Sequence, residues 1–80
     1  MIHISKKTTK SRRTLKKQID RYFGKNGLGL HPVAPRCACA CFRGGGGYVI
    51  VDILDQQNSR IIDIQSREWE YAAERFMRTI

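Results

Sequence analysis

The chain has 80 residues, 41% of them hydrophobic, and its 15 Lys plus Arg against 7 Asp plus Glu give a formal charge of +8. A chain of this size makes one domain that buries only about 60% of its unfolded surface. No apolar run approaches the ~20 residues of a bilayer span, and Met1-Ile-His-Ile-Ser-Lys-Lys7 lacks the continuous apolar segment of a secretory signal, so a cytoplasmic location is expected.

The charge is unevenly spread. Through residue 25 there are nine basic residues and one acid, Asp20, whereas the remainder holds six arginines and six acids. The whole surplus therefore sits in the first third, which implies a polyanionic partner: nucleic acid first, an acidic protein surface second, anionic lipid third.

Residues 1–10 read as a basic arm preceding a single α+β domain at 11–80. Ile2-His3-Ile4 alternates like a short edge strand, but Ser5 to Arg13 contains no apolar residue, as in a solvated arm. From Ser11 the pattern becomes helical. Leu15, Ile19, Tyr22 and Phe23 make one apolar stripe at i, i+4, i+7 and i+8, and Lys10, Arg13, Lys17 and Arg21 lie almost opposite it. Ser11 or Thr9 suits the N-cap and Gly24 or Gly27 the C-cap. Basic residues crowding the start of a helix oppose its macrodipole, a cost that hints at a binding role.

Residues 26–35 carry the Gly and Pro of a loop, with Leu28, Leu30 and Val33 available to plug the core edge. Arg36 to Arg43 alternates with period two and predicts a strand, and Gly44 to Gly47 a flexible connection. Tyr48–Leu54 and Arg60–Ile64, dense in β-branched residues and separated by the polar 55–59, predict a hairpin. In the first of these strands Val49, Val51 and Ile53 share one face and Tyr48, Ile50 and Leu54 the other, which suits a central strand. Ser66 is the expected N-cap of a last helix whose stripe is Trp69, Ala72, Ala73, Phe76, Met77 and Ile80.

The predicted fold is α+β: a small three- to four-stranded antiparallel sheet with two helices packed on one face, in the order (β)-α-β-β-β-α. Double-stranded-RNA-binding domains share the α-β-β-β-α order. Their second helix opens on a lysine cluster, however, where Ser66-Arg-Glu-Trp-Glu70 is acidic. Their strand loop carries a Gly-Pro-x-His signature, where this chain has Arg43-Gly-Gly-Gly-Gly47. Membership is not inferred.

The basic set is the principal candidate site: Lys6, Lys7, Lys10, Arg12, Arg13, Lys16, Lys17 and Arg21, with Arg43 beside the glycines. Cys37, Cys39 and Cys41 would all face one side of a strand, the outer pair about 13 Å apart. One zinc ion cannot collect three sulfurs so spaced, so packing is favoured over metal or redox chemistry, even with His3 and His31 as further donors. The glycines could offer N–H groups to a phosphate but lack the Lys-Ser/Thr of a P-loop. Tyr48 and Ile50 form a weak candidate for a base-stacking platform. No catalytic set assembles, so neither enzyme activity nor a cofactor is expected. The sequence thus predicts a non-enzymatic nucleic-acid-binding module that grips phosphates through its arm and first helix. The alternative is a stand-alone phage- or plasmid-type protein that inhibits or regulates a larger nucleoprotein complex by docking the same basic face. Oligomeric state is left open.

Overall fold

Period-two alternation dominates the second half of the chain, and a five-stranded sheet results. In a computed structural model that describes residues 2–33 and 40–80, the elements run β1 (Ile2–Thr8), α1 (Arg12–Phe23), β2 (His31–Val33), β3 (Ala40–Gly44), β4 (Gly47–Gln56), β5 (Ser59–Arg67) and α2 (Glu70–Arg78). All neighbours are antiparallel, in the spatial order β1-β5-β4-β3-β2. The α+β class stands, but the expected three or four strands become five and the order becomes β-α-β-β-β-β-α. Two segments account for the difference. Ile2–Thr8 is an edge strand paired along its whole length with β5, and His31–Val33, expected in a loop, adds to β3. Of the predicted strand at 36–43, only Ala40 onward lies within the described residues; Cys37 and Cys39 lie outside them.

β3 and β4 are joined by a turn tighter than a flexible connection. Gly44 pairs with Gly47, so only Gly45 and Gly46 turn the chain, with φ of 56° and 78°. Positive φ at both central residues is the signature of the type I′ hairpin, and glycine adopts it without a Cβ clash. Trp69 braces this turn: its Nε1–H donates to the Gly44 carbonyl at 2.8 Å, and its ring lies 3.0 Å from where a Gly45 Cβ would stand.

Both helices cover the same face. Val49, Val51 and Ile53 of β4, Ile62 and Ile64 of β5, and Ala40 and Phe42 of β3 are buried beneath Leu15, Ile19 and Phe23 of α1 and Ala73, Phe76 and Met77 of α2. Phe23 is the hinge of this core, its ring centroid 5.2 Å from that of Phe76 and 5.8 Å from that of Phe42. Aromatic pairs at such separations add cohesion beyond their buried area. Of the loop residues expected to plug the core, Leu30 alone is buried; Leu28 and Val33 are exposed.

α1 is capped as its sequence predicts. Ser11 Oγ accepts from the Thr14 N–H at 3.1 Å, and Gly24 closes the other end. α2 departs from expectation. Ser66 is not its cap but a fully buried member of β5, opposite Val49 on one side and Ile2 on the other. Sheet register overrides the local capping signal there, and among the described residues the Ser66 hydroxyl has no partner. The chain leaves the sheet through Glu68, at φ 69°, and the helix begins at Glu70. The Glu70 carboxylate is held below its ordinary pKa first by its own backbone N–H, with the Glu68 N–H adding.

Candidate nucleic-acid interface

Burial of Leu15, Ile19 and Phe23 fixes the rotation of α1, and that rotation turns Arg13, Lys17 and Arg21 to solvent. Spaced four residues apart, they form one ridge about 12 Å long, over which duplex DNA presents roughly seven phosphate charges. Among the described residues none of the three has an ion pair or a hydrogen bond from its side chain.

The other predicted cations divide differently. Lys6 Nζ donates to the Met77 carbonyl at 2.9 Å and Lys10 Nζ to the Thr79 carbonyl at 3.2 Å. The last carbonyls of a helix lack intrahelical donors and carry its negative dipole end, so these lysines act as a remote C-cap for α2. Arg12 donates to the Ile53 carbonyl at 2.8 Å and approaches Asp55 at 3.3 Å. Asp55 also receives Arg60, whose Nε lies 2.9 Å away without the angle of a hydrogen bond. Lys16 pairs with Asp20 at 3.1 Å, one turn along the helix. Lys7 and Arg43 project from the opposite face of the sheet, which no described helix covers. The nine predicted residues thus do not form one surface, and the ridge on α1 is the coherent part.

Beside the ridge runs a cleft of about 420 Å³ between the helices, lined by Gln18, Arg21, Tyr22, Leu28, Arg75 and Thr79. Arg75, which lies 5.8 Å above the Tyr71 ring, was not singled out from sequence. Its position in the last turn of α2 has an ordinary dipole explanation, and only the packing of α2 beside α1 places it near Arg21. The Gln18 Oε1 atom is buried in this region without a partner among the described residues.

The uncovered face carries a separate pattern. His3 Nε2 lies 2.7 and 2.8 Å from the two oxygens of Asp63, and Ser5 Oγ donates to Asp63 as well. Because serine and histidine both meet the carboxylate, the histidine is not a base for that hydroxyl, and a Ser-His-Asp relay does not form. Asp52 stands directly across from Asp63. Cys41 also lies on this face, half-buried and opposite Ile50. Among the described residues no group of His, Cys, Asp or Glu is arranged to hold a metal ion, and no helix is long and apolar enough to cross a membrane. At one end of the face the strand register lines up Arg67, Tyr48, Arg43 and His31 on four consecutive strands. Arg67 was not expected to belong to a site, and His31 was considered only as a metal donor. A strict two-residue turn at Gly45-Gly46 would have placed Arg43 opposite Tyr48 from sequence, but the β5 and β2 registers are long-range facts.

No family model, no curated protein and no solved structure matches this chain.

Proposed function

We propose that the chain is a small non-enzymatic nucleic-acid-binding module that holds a phosphate backbone along the outer side of α1. The observation that carries this reading is the unpaired ridge Arg13, Lys17 and Arg21, which the chain's own carboxylates leave free while they pair Arg12, Lys16 and Arg60. Arg75 extends the ridge across the interhelical cleft. The intended arm contributes less than its charge suggests, because Lys6 and Lys10 are engaged with α2. Contacts of this kind position a backbone and carry little base information.

The test is a salt series with duplex and single-stranded oligonucleotides. About four phosphate contacts give a slope of log K against log salt near −4. Joint charge reversal, Arg13→Glu with Lys17→Glu and Arg21→Glu, is expected to abolish binding while leaving the melting midpoint almost unchanged, since exposed charges contribute little to stability. Undiminished binding by that variant sinks the proposal. Failure of the unmodified protein to bind any oligonucleotide at low salt also sinks it, and moves the ridge to an acidic protein surface.

A further inference from the structure

We infer that the end of the uncovered sheet face bearing Arg67, Tyr48, Arg43 and His31 is a second binding site, for a nucleoside phosphate. These residues are cross-strand neighbours in one row: Arg67 opposite Tyr48, Tyr48 opposite Arg43, Arg43 opposite His31. At about 4.8 Å per strand the two guanidinium-bearing residues are set roughly 10 Å apart, with the tyrosine between them. The row lines a cleft of about 750 Å³ together with Val33 and the backbone of Gly46 and Gly47. That volume lies within the range of small-molecule sites.

Charge and shape select the ligand class. Among the described residues no carboxylate lines the cleft. Glu68 follows Arg67 in sequence without lining it, and Asp52 lies four residues along β4 from Tyr48, roughly 13 Å away. Among the described residues neither Arg43 nor Arg67 has an ion pair or a side-chain hydrogen bond. Two free arginines, each able to bind a phosphate through two parallel N–H groups, flank an aromatic ring on which a base can stack. His31 stands beside Arg43 as a further donor. A flat base with phosphate set apart from it by a sugar has this layout; a bare phosphate leaves the ring unused, and a paired duplex buries its base faces. The wall is preorganised, because the Gly45-Gly46 turn is pinned by Trp69. A braced backbone wall adds no ordering cost of its own, so that cost falls on the two arginine side chains.

This site lies on the opposite side of the sheet from α1 and uses none of the ridge residues, so it stands or falls independently of the function proposed above. The nucleotide can be free or one unit of a single strand.

The experiment titrates the full chain with AMP, adenosine, inorganic phosphate, a single-stranded tetranucleotide and a duplex, following Trp69 fluorescence and backbone amide shifts. AMP or the tetranucleotide is expected to shift residues 43–48 and 67 with saturation, while adenosine and phosphate bind at least 10-fold more weakly. Arg43→Ala and Arg67→Ala are each expected to weaken binding about 10-fold or more, and Tyr48→Leu roughly 5- to 100-fold. Arg43→Lys should restore only part of the loss, because the bidentate geometry goes while the charge stays. The triple ridge variant should bind AMP as the unmodified protein does. Tighter, arginine-dependent binding of the tetranucleotide than of AMP assigns the site to a strand, and the reverse to a free nucleotide. The inference is overturned if neither AMP nor the tetranucleotide shifts these residues, if phosphate alone binds as well as AMP, or if arginine removal changes nothing in variants with unaltered circular dichroism.

Discussion

The two faces of one sheet differ more than their shared strands suggest. Along β4, Val49, Val51 and Ile53 lie under the helices with almost no exposed surface, while Tyr48, Ile50 and Asp52 are half-buried and Leu54 is 51% exposed. The apolar residues on both faces of this strand suggested a central position, and β4 does lie third of five. Among the described residues no second layer covers this face, and centrality explains the pattern: a strand flanked on both sides shields its open-face side chains through its neighbours. One face therefore carries the packed core, and the other is the face on which a nucleotide site is proposed.

Truncation on each side should break or confirm this contrast most forcefully. Phe76→Ala removes a ring packed against Tyr22 and Phe23 and is expected to cost about 3–5 kcal/mol in urea unfolding. For a domain whose total stability is about 5–15 kcal/mol, that approaches loss of the fold. Leu54→Ala on the open face should cost about 0.5 kcal/mol or less. Equal losses would mean that the open face is covered after all.

A smaller effect is expected at the turn that both faces share. Gly45→Val places a β-branched side chain at φ 56° and against Trp69. It should lower stability by about 2 kcal/mol, and the same change should blunt nucleotide binding at the neighbouring cleft. Wild-type stability in this variant would show that the turn is not held as described.

The mildest test uses two adjacent lysines on opposite faces of β1. Lys6→Met keeps the stem but removes the donor to Met77, so it should cost about 0.5–1 kcal/mol, less at high salt. Lys7→Met, on the open face, should leave unfolding unchanged. A reversed order would refute the assignment of Lys6 to the end of α2.

These contrasts also mark what was legible in sequence. The stripes Leu15-Ile19-Phe23 and Ala73-Phe76-Met77 were, because helical periodicity is a local property and both elements follow it. Ser11 and Gly24 were legible for the same reason. β2 was not: three residues centred on proline have no strand signature, and their extended state comes from pairing with Arg43, Phe42 and Cys41. Ser66 carried a genuine capping signal that its register in the sheet overrode. The basic segment was legible as charge but not as geometry. Nothing local in Lys6 or Lys10 announces that the last turn of α2 ends beside β1. The row on the open face was hidden likewise, since its members are 36 positions apart at the extremes and meet only through three registers.

The borders of the sheet bear on how the molecule behaves when concentrated. At one border β2 is described over three residues, and its central Pro32 has no N–H to offer. At the other, β1 sets adjacent lysines where an incoming strand from another copy would dock, one of them tethered to α2. Short, proline-bearing and lysine-bearing borders resist edge-to-edge growth. A protein rich in β-branched segments should on that ground resist templating its own fibrils, and remain monomeric on concentration.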